Sequence, residues 1–462
     1  MLNRNILSIF FDMDLIQKFN HQDTFLIISD YPEVTKQGEK NYGMAWYTKA
    51  TIEPLAKKYK RCFVVLAENG NNDKPKLYQN GRILVLRIFN QKRPTLFPRI
   101  LKWLIVFNKI KHIYVHSEFG ANGGIKNFAL LIPFLLLIKL NGIKITFFAH
   151  NVVENFDLLA PHLNIKKGSL KIKIYNIFLR VYNFSLGYVV DQVVVLDPAI
   201  KKRINKYINK NKIIVTLIPV KERKHQLSKR RGKAKLGIKN NEFVLLYFGF
   251  ISHYKGADWL LSQVLEMNGK IGKKKIKLIL ARGPAYSLKN KKYYQKYYQQ
   301  QLETANKDPR ITITDFVPET EVEKYFTAAD LVIFPYRGMI GASGALTHAL
   351  SYHKPFVVSR GLNPLLESND FQKGLKKLGL DKKDIIFNLD RNSFSRLLKK
   401  SQNKNQLTKL SKLSAFVARQ RAFNNWSSDY FDRVYERKLK SKASFLHGLA
   451  GYVCPQLKNQ LS

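Results

Sequence analysis

The chain is 462 residues long, 45% hydrophobic and 12% aromatic, and its lysines and arginines give a formal net charge of +46. That is enough apolar material for two α/β domains with full cores, and it excludes wholesale disorder. Two cysteines, Cys62 and Cys454, stand far apart and support neither a disulfide framework nor a Cys-based metal site, as expected in a reducing compartment.

The charge attracts phosphate in any form: nucleotide, nucleic acid or anionic lipid. A composition rich in Lys, Asn and Ile accounts for it equally well as generic surface, so charge alone names no partner. The N-terminus carries one Arg before a short apolar run interrupted by Asp12 and Asp14, which is not the pattern of a secretory signal.

In chain order, FLIIS (residues 25–29) predicts the first strand, and residues 43–59 a helix. Strands are expected at 62–67, 83–86, 113–116 and 143–148, with helices near 98–107 and 126–140. FALLIPFLLLIKL (128–140) is too short to cross a bilayer, contains Pro133 and reads as a buried crossover helix. Such alternation specifies a parallel sheet wrapped on both faces, with ligands beyond the carboxyl ends of the strands. Two of those ends are polar: His116, Ser117 and Glu118 after IYV, and His150 with Asn151 after ITFFA. A histidine there is either structural or part of a site.

Residues 170–186 are amphipathic, with Lys171, Lys173 and Arg180 among Ile172, Ile174, Tyr175, Ile177 and Phe178, preceded by Lys166 and Lys167. Two readings stand: a core-facing helix with solvated lysines, or a helix lying in an anionic membrane interface. A strand follows at 192–196, and Asp197-Pro198 is the N-cap and N1 signature of another helix. Between Val220 and Asn241 Lys and Arg face one acid, Glu222, and this composition break marks a linker.

The second half repeats the alternation, with strands at 243–248, 276–281 and 311–313 and helices at 257–266 and 288–305. Thr320 and Glu323 have the spacing of a capping box. The segment from Asp330 to Ser359 reads as strand, Gly-rich loop, helix and strand. Gly338, Gly341 and Gly344 lie in the loop, and Ala342 or Ser343 is the N-cap. Free amides and the helix dipole at such a junction suit a phosphate, although a tight βα turn alone would look the same. A weaker unit surrounds 385–389, and helical patterns at 406–422 and 426–440 close the fold.

Three blocks in this half, LLYFGFISHYKGADWLL (245–261), ITDFVPETEVEKYFTAADLVIFPY (313–336) and GASGALTHALSYHKPFVVS (341–359), resemble the retaining, family 4 glycosyltransferases of the GT-B fold. AHNVV (149–153) resembles a segment after an N-domain strand in one branch of that family. The resemblance implies an α/β chain of two Rossmann-like domains facing across a cleft, and a nucleotide-sugar donor with no cofactor and no metal. It implies that Gly249, Lys255, Val317, Pro318, Ser343, Gly344 and Ala345 bind the donor, with Lys255 on the diphosphate, and that His150 is catalytic. Two departures stand out. The paired Glu positions of many members are Ile340 and His348, and the Arg that often follows the first glycine is Phe250.

The expected organisation is an acceptor-side domain over 1–219, a basic linker over 220–240 and a nucleotide-sugar domain over 241–415. Helices over 416–440 return to the first domain, and a tail covers 441–462. The expected function is sugar transfer to a glycan or lipid-linked hydroxyl in glycan, polysaccharide or glycolipid synthesis. It would take place in the cytoplasm, peripheral on the inner face of the membrane at an anionic surface, with no specific nucleic-acid binding. The rivals are an inactive GT-B scaffold subunit and a nucleotide-sugar epimerase.

Overall fold

The structure is a computed structural model and describes residues 13–35, 38–40, 43–70, 74–91, 93–118, 125–221, 223, 227–285 and 288–436. The expected tail, 441–462, lies outside them.

The first domain is an eight-stranded sheet in the order β10-β9-β8-β7-β1-β4-β6-β5. Its strands are β1 (Phe25–Ile28), β4 (Phe63–Glu68), β5 (Lys76–Tyr78), β6 (Ile83–Phe89), β7 (His112–Ser117), β8 (Lys144–Ala149), β9 (Gln192–Val195) and β10 (Ile213–Val215). β2 (Glu33–Thr35) and β3 (Gly38–Lys40) form a separate hairpin. Every pairing in the large sheet is parallel except that of β5 with β6. Parallel strands need crossovers, and the helices that supply them leave no face of the sheet in water.

Strand periodicity then sorts the side chains. Leu26, Val64, Ile113 and Phe147 pack on one side with Ile100 of α3 (Leu96–Val106) and Leu135 of α4 (Ile125–Leu140). Ile27, Val65, Tyr114 and Phe148 pack on the other with Tyr47 and Leu55 of α2 (Gly43–Tyr59). α1 (Met13–Phe19) precedes β1, α5 (Leu170–Val189) joins β8 to β9, and α6 (Pro198–Ile204) joins β9 to β10. Asp197 caps α6, its carboxylate accepting from the Ala199 amide at 2.8 Å.

The second sheet has seven strands. β12 (Lys270–Ile271), β13 (Lys274–Ala281), β11 (Glu242–Phe248), β15 (Leu331–Phe334), β16 (Phe356–Ser359) and β17 (Ile386–Phe387) lie side by side, and β14 (Ile311–Ile313) pairs with β13. Its helices are α7 (Lys229–Lys235), α8 (Ala257–Leu265), α9 (Lys292–Asn306), α10 (Val322–Ala328), α11 (Gly344–Ser351), α12 (Asn369–Leu378), α13 (Arg391–Lys400) and α14 (Lys404–Gln420). No strand is shared between the sheets. α15 (Phe423–Phe431) and a π turn (Asp432–Glu436) then return to the first domain. There the Trp426 indole donates to the Leu217 carbonyl at 2.8 Å, and Phe431 stacks on Tyr59 at 3.9 Å.

Two local expectations change. Residues 228–235 of the basic segment are not unpatterned: Ser228 caps α7, and Gly232 lets α7 close on α10, where a Cβ would meet the Ala328 amide at 3.0 Å. Lys233 is buried 3.5 Å from Asp330, which also pairs with Lys229, so part of the basic run neutralises a carboxylate of the second domain. The Thr320–Glu323 capping box does not form. Pro318 starts a 3-10 turn (Glu319–Glu321), α10 begins one turn later, and Glu323 instead accepts from the Leu227 amide at 3.0 Å. A tertiary amide has displaced the local one.

Candidate active site

Each sheet has a topological switch point, where strand order reverses and the loops beyond the carboxyl ends diverge to leave a crevice. In the first domain it falls between β1 and β7, and in the second between β11 and β15. The residues at these ends are His116 and Ser117 closing β7 with Glu118 just beyond, His150 after β8, Gly249 after β11 and Tyr336 after β15.

The crevices meet. Asn151 and Gly341 form an antiparallel bridge between the domains, and the Val152 amide donates to the Ile340 carbonyl at 2.9 Å. Gly341 is needed for this approach, since a Cβ there would lie 2.6 Å from the His150 carbonyl oxygen. Arg203 locks the same seam, donating to the carbonyls of Met339 at 2.7 Å and Val152 at 3.3 Å.

On the second-domain side, several expected donor residues converge on Gly249, whose φ of +143° suits glycine. A Cβ there would sit 3.5 Å from the Lys255 ammonium and 3.9 Å from both Ala345 and the Tyr336 hydroxyl. Lys255 ends a 3-10 turn (His253–Lys255) that Gly256 closes in the left-handed region. Burial and the nearby Arg282 guanidinium lower the Lys255 pKa to about 8, against the opposing pull of Glu118 from the first domain. Ser343 is the N-cap of α11, and its hydroxyl accepts from the Leu346 amide at 3.2 Å. Ala345, in the first turn of α11, and the Lys255 ammonium thus both approach Gly249. Gly344 fronts open space, where a Cβ would meet nothing within 4 Å.

Val317 and Pro318 lie further along this edge. Val317 is buried in the core, and Pro318 opens the Glu319 turn. They connect to the Lys255 region through Arg282, which sequence reading overlooked. Arg282 follows β13 with φ of +103°, rare for a side-chain-bearing residue. Its guanidinium lies 5.4 Å from the Phe248 ring, 5.5 Å from Phe250 and 5.8 Å from Phe316. Lys255 lies 5.9 Å from the same Phe250 ring, so that ring has two cations within 6 Å of its centre. A strand ending in Arg-Gly-Pro was the available signal.

The two positions where the resemblance expects Glu hold Ile340 and His348, the latter near Arg282 and Arg223. Ile340 packs against the Val153–Phe156 cluster, and His348 stacks beside Phe326 at 5.9 Å with its pKa pushed well below the usual value by burial.

On the first-domain side, His150 Nε2 lies 3.1 Å from His116 Nδ1, and Tyr47 meets His150 edge-on at 4.9 Å. Burial lowers the pKa of His150 to about 3 and that of His116 well below its ordinary value, so both rings are neutral. Burial raises the Glu118 pKa against the opposing effect of Lys255. Among the described residues, no group of three or more His, Cys, Asp or Glu is placed to hold a metal ion.

Two Rossmann-like sheets joined at their switch points and sealed by a returning C-terminal helix are the architecture of the GT-B glycosyltransferases. Residues 242–375, all within the second domain, match the family described as Glycosyl transferases group 1. Sucrose-phosphate synthase from Thermosynechococcus elongatus superposes with a TM-score of 0.64 at 13% identity, over 90% of this chain and 98% of that one. Anabaena HepE in complex with UDP and glucose gives 0.60 at 12% identity over 90% and 100% of the chains. The E. coli trehalose-6-phosphate protein bound with UDP-2-fluoro glucose gives 0.59 at 12% identity, over 90% and 99%. No curated protein matches the chain by sequence. The chain thus has the GT-B fold, and within it residues 242–375 match a glycosyltransferase family.

Proposed function

We propose that this enzyme moves a sugar from a nucleoside diphosphate to a hydroxyl on a glycan or lipid carrier. It does so with retention of anomeric configuration, in the manner of family 4, and without a metal ion. The observation that carries this reading is the convergence of Lys255, Ala345 and Tyr336 on Gly249, in a second domain bridged to the first through Asn151 and Gly341.

A diphosphate in this crevice would meet the Lys255 ammonium on one side and the amides at the N-terminus of α11 on the other. As the bond from the anomeric carbon to the phosphate oxygen breaks, charge gathers on the leaving group, and fixed cations and amides stabilise it there more than in the ground state. The acceptor oxygen bonds to the anomeric carbon, and its proton leaves with the released diphosphate. His150, neutral in its buried setting, faces the donor sugar as a hydrogen-bonding group. Val317 and Pro318 border the nucleobase.

UDP-sugars are the first donors to test, because solved structures of like fold hold UDP or its sugar conjugates. We place the enzyme on the cytoplasmic face of a membrane, in polysaccharide or glycolipid synthesis. No helix among the described residues is long and apolar enough to span a bilayer, so attachment would be peripheral.

Thermal-shift titration with UDP, GDP, ADP and their sugars tests the reading, since a ligand that binds only the native state raises Tm. A shift followed by release of the diphosphate on adding acceptor supports transfer. No shift at millimolar nucleotide overturns it in favour of an inactive GT-B module.

A further inference from the structure

α5 is apolar on two faces. Ile172, Leu179, Tyr182, Leu186 and Val189 are buried against the first domain. Opposite them runs a second row, Leu170, Ile174, Ile177, Val181, Phe184 and Tyr188, each between 53% and 73% exposed. The row advances by alternating steps of four and three residues, which keeps it on one side of the helix over its whole length. The neighbouring α4, joined to α5 through the Phe128–Tyr182 stack at 4.0 Å, adds exposed Leu130 and Leu136. A continuous exposed apolar row of this kind marks a contact surface, whereas scattered exposed leucines would not.

Charge selects the occupant. α5 contains no Asp or Glu, and Lys171, Lys173 and Arg180 are exposed on it, with Lys166 and Lys167 exposed just before its N-terminus. Two copies of α5 packed row against row would bring these like charges together with no carboxylate on either helix to offset them. An interface of anionic headgroups over acyl chains satisfies both features at once, taking the apolar row inward and the cations at headgroup level.

We propose that α5 docks the enzyme on an anionic lipid bilayer, with Leu170, Ile174, Ile177, Val181, Phe184 and Tyr188 inserted to the level of the acyl chains. This rests on the glycosyl-transfer reading for its consequence: the acceptor is presented from the membrane, so its class is a lipid-linked hydroxyl. The sequence pattern alone pointed to Ile172, Tyr175 and Phe178 as well. The structure takes Ile172 into the core and leaves Tyr175 and Phe178 half-buried, so the inserted row is a different one.

The test is flotation of the full chain with neutral phosphatidylcholine vesicles and with vesicles holding about 30 mol% phosphatidylserine. The comparison variant is Ile177→Glu/Val181→Glu/Phe184→Glu, whose positions are all exposed and outside the donor site. Wild type is expected to float with the anionic vesicles only and to lose recovery as salt rises. The triple variant is expected to stay at the bottom with an unchanged Tm and an unchanged Tm shift with UDP. Equal flotation of wild type and variant would overturn the proposal, as would flotation with neutral vesicles, or a dimer in sedimentation that the triple substitution abolishes. The nucleotide shift separates the two readings. If flotation fails while the shift persists, only the docking surface falls; if the shift fails while flotation persists, only the transfer reading falls.

Discussion

His150 and His116 share a hydrogen bond, Nε2 to Nδ1 at 3.1 Å, although β7 and β8 bring them from 34 residues apart. Two neutral imidazoles so placed can hold one donor and one acceptor, and protonating both leaves two donors and no acceptor. Both groups titrate below 6.5 in the folded chain, with His150 at about 3, because burial disfavours the cation. Between those values the unfolded chain binds more protons than the folded one. Stability contributed by the neutral pair is therefore complete above about pH 6.5 and is lost as pH falls toward 3. A Tm profile over that range should rise with pH, and His150→Gln/His116→Phe should flatten it. His116→Phe alone keeps the stack on Phe148, seen at 4.1 Å, and should lower kcat with little change in KM for the donor.

Lys255 is the proposed diphosphate ligand. Lys255→Ala should cut kcat/KM by about 2–4 kcal/mol of transition-state stabilisation, roughly 30-fold to 1000-fold, with Tm almost unchanged. Lys274→Ala, on an exposed position of β13, is the control. With its pKa lowered to about 8, the ammonium is lost as pH rises through that value, so donor affinity should fall above pH 8. The folded chain releases this proton before the unfolded chain does, which makes stability rise between pH 8 and 10.5 while binding declines. Lys255→Arg should hold affinity level across the same range. Equal rates for the two alanine variants would remove Lys255 from the site.

Arg282 pairs backbone strain with a cation beside the proposed phosphate position. A non-glycine residue at φ +103° carries on the order of 1–3 kcal/mol of strain. Arg282→Gly relieves that strain and removes the guanidinium, so Tm should hold or rise while UDP affinity drops in calorimetric titration. A fall in Tm with unchanged affinity would make Arg282 a packing residue against Phe248, Phe250 and Phe316.

Gly341→Ala tests the seam between domains. The added Cβ would lie 2.6 Å from the His150 carbonyl and 3.0 Å from the Asn151 side chain, and the first of these neighbours is backbone that has no rotamer to change. The bridge should open, kcat/KM should fall, and circular dichroism should show both sheets intact. Gly43→Ala, where a Cβ meets nothing within 4 Å, should change neither.

Much of the architecture was legible because it follows from local chemistry. Apolar runs such as those of β7, β8, β11 and β15 can only be buried parallel strands when helices separate them, and the structure places each within two residues of the expected bounds. Asp197 was readable as a cap because a short oxygen-bearing side chain before a helix satisfies amides nothing else reaches, and of the two positions open for α11, Ala342 and Ser343, the structure takes Ser343. The blocks around Gly249, Lys255 and Ser343 were readable as neighbours because parallel strands put their following loops on the same edge.

What tertiary structure decided is of another kind. The choice of partner for Glu323 went to the Leu227 amide, a competitor 96 residues away that no local rule contains. Arg282 joined the site because β13 runs beside β11 in register, Ala281 opposite Phe248, which a strand ending in Arg-Gly-Pro does not disclose. On α5, sequence showed apolar residues around most of the helix, and only packing could say which would be covered. The first domain takes the face of Ile172, Leu179 and Leu186 and leaves Ile174, Ile177 and Phe184 outside. Sequence fixes periodicity, which is a property of neighbours along the chain; exposure is a property of what else arrives, and that is settled only when distant segments compete for the same surface.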